Sequence, residues 1–145
     1  MKLAILDRDG TLNPLADDYV TAADEWTAVP GALEAIARLN HAGWHVVVAT
    51  NQPGLGRGLF DVVALNAIHA KMHRQVAAVG GRIDAVFYCP HAADEECACR
   101  KPAPGLAQAD GLKVCLGLAG FVSRLAAVRW LAGLCRRLRR ARQLA

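Results

Sequence analysis

The stretch that decides the fold is residues 1–13, MKLAILDRDGTLN. Its short apolar run at residues 3–6 is typical of a strand buried in a parallel sheet. The run stops at Asp7, and a second carboxylate, Asp9, precedes Gly10. Residues two apart in extended chain project from the same face, so the two carboxylates are expected to converge. Open α/β sheets bind ligands beyond the carboxyl ends of their strands, which makes this turn a candidate site.

The rest of the first 90 residues alternates between helical and strand patterns. A helix is predicted from Pro30-Gly31 to Gly43, a strand at residues 44–50, a helix at residues 61–81 and a strand at residues 83–88. Between the second strand and the second helix lies a glycine-rich loop, NQPGLGRG, at residues 51–58. The order β, α, β, α, β predicts an α/β domain with a parallel sheet. The apolar stripe of the second helix comprises Leu65, Ile68, Met72, Val76 and Val79.

Length and charge bound the organisation of the chain. With 145 residues, 54% of them hydrophobic, one compact domain is expected. No apolar run long enough for a membrane span or secretory signal occurs, so a cytoplasmic location is expected. Residues 1–110 hold 9 basic and 13 acidic side chains, whereas residues 111–145 hold 8 basic and no acidic ones. We therefore predict a core at residues 1–110 and a divergent basic tail at residues 111–145.

The two carboxylates of the first turn have a chemical reading and a structural one. Hard oxygen ligands suit Mg²⁺, which favours carboxylates, water and substrate phosphate. One carboxylate can then attack phosphorus while the other carries the proton. The alternative is that D-R-D-G only makes a turn, since Asp and Gly are common there.

A second cluster lies in YCPHAADEECACRKPAPG, residues 88–105. Three thiols and one imidazole within residues 89–99 predict a closed tetrahedral Zn²⁺ site of the structural kind, rather than disulfides. Chance clustering is the weaker alternative. Arg100 and Lys101 follow directly, so a metal-tied loop would fix two cations at the mouth of the crevice; alone they would be a solvated basic pair. The predicted zinc ligands are Cys89, His91, Cys97 and Cys99.

The stretch LDRDGTLN, residues 6–13, resembles the first motif of the haloacid dehalogenase-like phosphatases. The resemblance implies a three-layer Rossmann-like fold in which Asp7 is the nucleophile and Asp9 the general acid/base. It also implies that Mg²⁺ contacts the Asp7 carboxylate and the Asp9 backbone carbonyl. VVVATNQPGLGRG, residues 46–58, is similar to the second motif. That similarity implies phosphate binding by Thr50 and Asn51, extended by Gln52 and Arg57.

The pattern C-x-H…C-x-C-R-K-P resembles the heptose bisphosphate 7-phosphatase branch. The resemblance implies that Lys101 is the third motif, that Arg100 contacts substrate, and that Tyr19 and Val20 form a wall of the substrate pocket. The implied reaction is hydrolysis of the 7-phosphate of D-glycero-D-manno-heptose 1,7-bisphosphate through an aspartyl-phosphate, in the synthesis of ADP- or GDP-heptose for the lipopolysaccharide core. A histidinol-phosphate phosphatase is the enzymatic alternative.

The resemblance ends near residue 105. The family's fourth motif, G-D-x-x-x-D, is not found, and no Asp or Glu follows Asp110. A shifted reading frame or truncation is the preferred explanation; a genuine basic amphipathic helix from about Val122 is the rival. We therefore expect the last core strand to be absent, and weak or no activity with lower stability than a complete relative.

Three expectations about partners follow. The enzymatic reading predicts a small sugar phosphate as substrate, no nucleic-acid or membrane partner, and a monomer. The hypothesis from another class is a non-catalytic remnant whose basic tail binds membrane or nucleic acid.

Overall fold

A computed structural model of the protein describes residues 2–15 and 19–108. Within them lie three strands, two long helices and two single-turn helices. In chain order these are β1 (Lys2–Leu6), α1 (Ala32–His41), β2 (Trp44–Asn51), α2 (Pro53–Gly56), α3 (Val62–Ala78), β3 (Ala85–Cys89) and α4 (Gly105–Gln108). The predicted α/β organisation is confirmed, and the bounds differ from the predicted ones by a few residues.

The strands form a parallel sheet in the order β1-β2-β3. Leu6 lies opposite Val48, and Asn51 lies opposite Cys89. Since parallel strands end at the same edge of the sheet, this register brings the turn after β1, the end of β2 and the start of the cysteine-rich loop together.

Each face of the sheet packs into its own apolar cluster. Val46 and Val48 of β2 face α1 and α3, and they pack with Ile36, Ile68 and other fully buried side chains. The alternate β2 residues project to the opposite face, because successive strand side chains alternate. That second cluster comprises Leu3, Ile5, Val47, Ala49, Cys89 and Leu106. The long helices α1 and α3 cover one face and the single-turn helix α4 packs Leu106 against the other, which agrees with the three-layer fold that was predicted.

The long helix α3 differs from its prediction at one position. Its Asp61 N-cap accepts a hydrogen bond from the backbone N–H of Ala64 at 2.7 Å, and the helix buries one apolar stripe. Val79 was assigned to that stripe, but it follows the last helical residue and is 37% exposed. His69, which was not predicted to be buried, takes its place in the stripe with 8% exposure.

Predictions for the C-terminal part fall outside the described residues. These are the divergent tail at residues 111–145, the absent last strand and the amphipathic helix from about Val122. Among the described residues, none of the helices combines the length and apolar character needed to span a bilayer.

Candidate functional site

Asp7, the first carboxylate after β1, contacts a cation that lies near the C-terminal end of the described residues. Asp7 Oδ2 forms an ion pair with Lys101 Nζ, which also donates a hydrogen bond to the Ala49 carbonyl at 2.9 Å. The Lys101 side chain is 13% exposed and that of Asp7 40%. Lys101 is therefore held as a largely buried cation, and Asp7 remains open to a ligand.

Asn51 fixes the backbone around this cation. Its side-chain oxygen accepts from the Lys101 N–H at 3.0 Å, and its amide group donates to the Lys101 carbonyl at 3.2 Å. The side chain of a residue at the end of β2 thus brackets the peptide unit that carries Lys101. Asn51 was predicted to bind phosphate; here its amide is engaged with the backbone.

The second carboxylate is held by donors on both of its oxygens. Asp9 Oδ1 accepts from Arg8 Nε at 3.0 Å, from Arg8 Nη2 at 2.9 Å and from Asn13 Nδ2 at 3.1 Å. Asp9 Oδ2 accepts from Gln52 Nε2 at 2.7 Å and from Thr50 Oγ1 at 3.3 Å. The Asp9 side chain is 28% exposed, so it is anchored from below and faces the cleft.

Thr50 and Gln52 lie beneath Asp9 rather than at the surface of the cleft. They are 0% and 2% exposed, and Gln52 Nε2 also donates to Thr50 Oγ1 at 2.8 Å. In this arrangement both side chains support the second carboxylate. Their predicted contacts with phosphate stay a prediction.

A cavity of about 350 Å³ opens over the two carboxylates. Tyr19 and Val20 line this cavity, and the prediction that they form a wall of the substrate pocket stays a prediction. Arg57 reaches that wall through Tyr19, to whose hydroxyl its Nη1 donates at 2.9 Å. Residues predicted for the site that line the cavity are Asp7, Asp9, Tyr19, Asn51, Arg100 and Lys101. With Arg8, which also lines it, the cavity combines two carboxylates, three basic side chains and an aromatic wall.

The four predicted metal ligands come together beside the cavity. Cys89 is the last residue of β3. The loop that follows brings the other three predicted ligands back towards it, so that the four candidate ligand atoms lie within 4.8 Å of one another. The Sγ atoms of Cys89 and Cys99 each lie 3.7 Å from that of Cys97, and His91 Nδ1 lies 3.5 Å from Cys89 Sγ. A tetrahedral ion with Zn–S bonds of about 2.3 Å would separate sulfurs by about 3.8 Å. The two shorter separations, Cys89 to Cys99 and His91 to Cys99, are both 3.1 Å. The donor set fits a small tetrahedral cation.

The thiols of this cluster differ in pKa. Burial, reinforced by the contact with Cys99, raises the pKa of the Cys89 thiol to about 12. At Cys97 desolvation also raises the pKa, but hydrogen bonds from the Arg100 N–H and from the neighbouring thiols together lower it below its usual value. A bound cation would offset the cost of ionising the buried thiol.

Close packing with glycines holds the metal loop on the sheet. The Gly56 N–H donates to the Pro90 carbonyl at 2.9 Å, and a Cβ at Gly56 would lie only 2.8 Å from that oxygen. Gly105 donates to Ala98 in the same way, at 2.9 Å, and a Cβ there would collide with the Ala98 backbone. These glycines permit the loop that carries the Cys/His cluster to approach the glycine-rich loop at residues 51–58 on one side and α4 on the other.

Sequence reasoning missed two buried polar residues of the site. Arg8 is 1% exposed and contacts Asp9 and Gln52. Asn13 is equally buried; it donates to Asp9 and accepts from Trp26 Nε1 at 3.1 Å. Their polarity beside an acidic turn was the available signal, but it does not distinguish a buried partner from a solvated one.

Comparison with known proteins agrees with this geometry. The family model described as Polynucleotide kinase 3 phosphatase matches residues 2–113. A D-glycero-beta-D-manno-heptose-1,7-bisphosphate 7-phosphatase from Bordetella bronchiseptica is 58% identical over 120 residues, covering 83% of this chain and 67% of the relative. The alpha-anomer phosphatase from Mycobacterium tuberculosis is 41% identical over 102 residues, covering 70% and 54%.

A solved structure points the same way. The D,D-heptose 1,7-bisphosphate phosphatase of B. bronchiseptica, complexed with magnesium and phosphate, superposes with a TM-score of 0.77 at 57% identity. The alignment covers 83% of this chain and 67% of that one. Together with the carboxylate pair, the paired lysine and the Cys/His cluster, these similarities show that the chain belongs to the haloacid dehalogenase-like phosphatases, in the family of the D-glycero-D-manno-heptose-1,7-bisphosphate 7-phosphatases.

Proposed function

We propose that this chain is a Mg²⁺-dependent phosphomonoesterase that hydrolyses the 7-phosphate of D-glycero-D-manno-heptose 1,7-bisphosphate. The observation that carries the proposal is the placement of Asp7 against Lys101 at the mouth of a cavity whose floor includes Asp9. The names of the relatives support the substrate.

The proposed reaction proceeds in two displacements. A carboxylate oxygen of Asp7 attacks phosphorus, the bond between phosphorus and the sugar oxygen breaks, and Asp9 gives that oxygen a proton. Asp9, now a carboxylate, takes a proton from water, which attacks the aspartyl-phosphate and releases phosphate and the free Asp7 carboxylate. Lys101 neutralises charge on the transferring phosphate beside the nucleophile.

The proposed magnesium ligands are the Asp7 carboxylate and the Asp9 backbone carbonyl. Oxygen donors at a strand end, open to water and substrate phosphate, suit Mg²⁺, and the magnesium in the related structure supports this. When bound, the ion would supply charge stabilisation to the phosphoryl oxygens.

For the Cys/His cluster we propose Zn²⁺ in a structural role. Four protein ligands leave no open coordination position, which argues against direct participation in the reaction. Arg100 follows the last ligand, and its Nη1 donates to the His91 carbonyl at 3.3 Å. The loop would hold Arg100 as a substrate contact and Lys101 at the nucleophile with little ordering cost on binding.

Contacts with the rest of the substrate remain proposals from the resemblance. Tyr19, tethered by Arg57, would contact the sugar, and Thr50, Asn51 and Gln52 would reach the phosphate. For that, Thr50 would exchange its present bond with Asp9 for one with a phosphate oxygen. The product would feed synthesis of nucleotide-activated heptose in the cytoplasm, with the enzyme acting as a monomer.

A substrate comparison tests the proposal. The purified chain is assayed with both anomers of the heptose bisphosphate and with histidinol phosphate, with and without Mg²⁺, and ³¹P NMR identifies the phosphate lost. We expect Mg²⁺-dependent loss of the 7-phosphate, abolished in Asp7→Asn. A preference for histidinol phosphate would replace the substrate assignment. No turnover with any ester, accompanied by salt-sensitive binding to anionic vesicles or nucleic acid, would support the non-catalytic alternative.

The same assay tests the expectation that this chain is less active than a complete relative. Turnover is compared with that of the B. bronchiseptica relative under identical conditions. Because residues 111–145 hold no Asp or Glu in the place of the fourth motif that the resemblance implies, the proposed result for this chain is a much lower rate and weaker Mg²⁺ dependence. Equal rates would refute that expectation.

A further inference from the structure

We propose that Arg8 is a positioning residue for Asp9, setting the orientation of both carboxylate oxygens through a buried network that it shares with Gln52. The proposal rests on the proposed function, because it assigns to Arg8 a role in proton transfer by Asp9. Arg8 is 1% exposed and belongs to the lining of the cavity, but its bonded guanidinium donors are directed at Asp9 and Gln52.

Arg8 fixes one carboxylate oxygen directly. Its Nε and Nη2 both donate to Asp9 Oδ1, at 3.0 and 2.9 Å. A guanidinium has its donors in a rigid plane, so two bonds to one oxygen define the direction of approach as well as the distance.

Arg8 fixes the other oxygen through Gln52. Its Nη2 also donates to Gln52 Oε1 at 3.0 Å. Since that oxygen faces the guanidinium, the amide nitrogen of Gln52 must face the other way, where it donates to Asp9 Oδ2 at 2.7 Å and to Thr50 Oγ1 at 2.8 Å. Without the guanidinium, Gln52 Oε1 would lose its donor, and this contact would no longer direct the amide nitrogen towards Asp9.

The burial of Arg8 argues that this network is more than a surface ion pair. Removing a guanidinium from water is unfavourable unless its donors are paired. One nitrogen of the guanidinium, Nη1, has no hydrogen-bond partner among the described residues. The other two nitrogens, Nε and Nη2, both donate to Asp9, the carboxylate that is proposed to carry the proton.

A merely structural role would predict a different kinetic signature from a positioning role. If Arg8 only neutralised a buried charge, its loss would slow all substrates alike. If it orients Asp9 for proton transfer, its loss should lower kcat/KM, which reports only the first displacement, for esters whose alkoxide leaving group needs a proton. It should spare kcat/KM for p-nitrophenyl phosphate, whose phenolate leaves unprotonated.

The experiment measures kcat and KM for the heptose bisphosphate and for p-nitrophenyl phosphate in four proteins: the unsubstituted chain, Arg8→Met, Arg8→Lys and the control Arg82→Met. Arg82 pairs with Asp84 at the opposite end of the sheet, and its side chain is 67% exposed. General acid–base catalysis contributes roughly 10²-fold or more, so kcat/KM for the heptose ester should fall by about that factor in Arg8→Met. kcat/KM for p-nitrophenyl phosphate should change little, even where Asp9-assisted hydrolysis of the shared aspartyl-phosphate lowers kcat for both esters, and the control should match the unsubstituted chain.

Arg8→Lys keeps the charge but not the planar fork, and it guards against misfolding of Arg8→Met. The same selective loss with Lys supports the proposal. Equal losses of kcat/KM on both esters, or full activity with Lys, overturn it.

A measurement without turnover separates this proposal from the proposed function. If the unsubstituted chain hydrolyses neither ester, the proposed function fails. The NMR resonance of the Arg8 Nε–H then tests whether Arg8 is hydrogen-bonded to Asp9. A resonance protected from exchange that shifts in Asp9→Asn supports the anchor; an unprotected one, or one indifferent to Asp9→Asn, overturns it.

Discussion

The buried imidazole of His69 makes the stability of this domain depend on pH. His69 lies in the apolar stripe of α3 with 8% exposure, its Nε2 has no hydrogen-bond partner in the described part of the chain, and its ring lies 6.4 Å from that of Tyr88. Burial, together with the positive charges of Arg8 and His73, lowers its pKa from 6.5 to about 4, partly opposed by Asp9. Folding therefore favours the neutral ring.

The sign and size of the effect follow from linkage. Between pH 4 and 6.5 the unfolded chain binds a proton at this position that the folded chain does not, so the free energy of unfolding rises with pH. The stability is complete above about pH 6.5 and is lost as the pH falls towards 4. For these two pKa values the loss between pH 7.5 and pH 5 is about 2 kcal/mol, approaching about 3 kcal/mol at lower pH.

The assay is urea unfolding at pH 7.5 and pH 5 of the unsubstituted chain and of His69→Met. Protonation of acidic groups and of the Cys/His cluster also lowers the free energy of unfolding at low pH. These contributions are common to both proteins and cancel in the difference. We expect His69→Met to lose about 2 kcal/mol less than the unsubstituted chain between the two pH values. His73→Gln, at an exposed position on the same helix, serves as the control and should retain most of the pH dependence. Equal pH dependence in His69→Met and the unsubstituted chain would refute the reasoning.

Three further predictions concern the cation beside Asp7, the Cys/His cluster and the core. Lys101→Met should lower kcat by roughly 10²-fold, as loss of one preorganised charge commonly does; Lys71→Met, which removes only an exposed contact with the Asp24 carbonyl, should not, and steady-state kinetics would show the difference. The chain should contain one equivalent of zinc by elemental analysis, and Cys97→Ser should lose it and lower Tm by at least about 4 °C; unchanged zinc content would contradict the ligand assignment. Ile68→Ala, at a fully buried position, should cost about 2 to 5 kcal/mol in urea unfolding, whereas Val63→Ala, 74% exposed, should change stability by less than about 0.5 kcal/mol.

Local patterns were sufficient for the sheet and for the metal cluster. A continuous apolar run identifies a buried strand, and helix periodicity identifies a buried stripe, because both depend on residues close in sequence. The four predicted metal ligands lie within eleven residues, so their convergence needs only a loop. The same logic failed at Val79, because an apolar side chain one residue beyond a helix end no longer shares the helix face.

The partners of the site's polar groups depended on the tertiary structure. For Asn51 the sequence predicted a contact with phosphate, and the structure adds that its amide brackets the backbone of Lys101, a residue 50 positions away. Gln52 lies beneath Asp9, 43 positions away. The partner of each polar group depends on which donors and acceptors the packed sheet brings within 3 Å. The spacing of residues in the sequence does not reveal those contacts.

By itself, the sequence determined that this chain builds a parallel α/β sheet with two carboxylates after its first strand and a four-ligand cluster after its third. It did so because strand periodicity, turn chemistry and ligand spacing are local. Only the tertiary structure decided that Arg8 is a buried anchor for Asp9, that Lys101 pairs with Asp7 and that His69 is enclosed without a partner. Each of these is a property of an environment assembled from separate elements, and burial and hydrogen-bond geometry exist only once those elements pack.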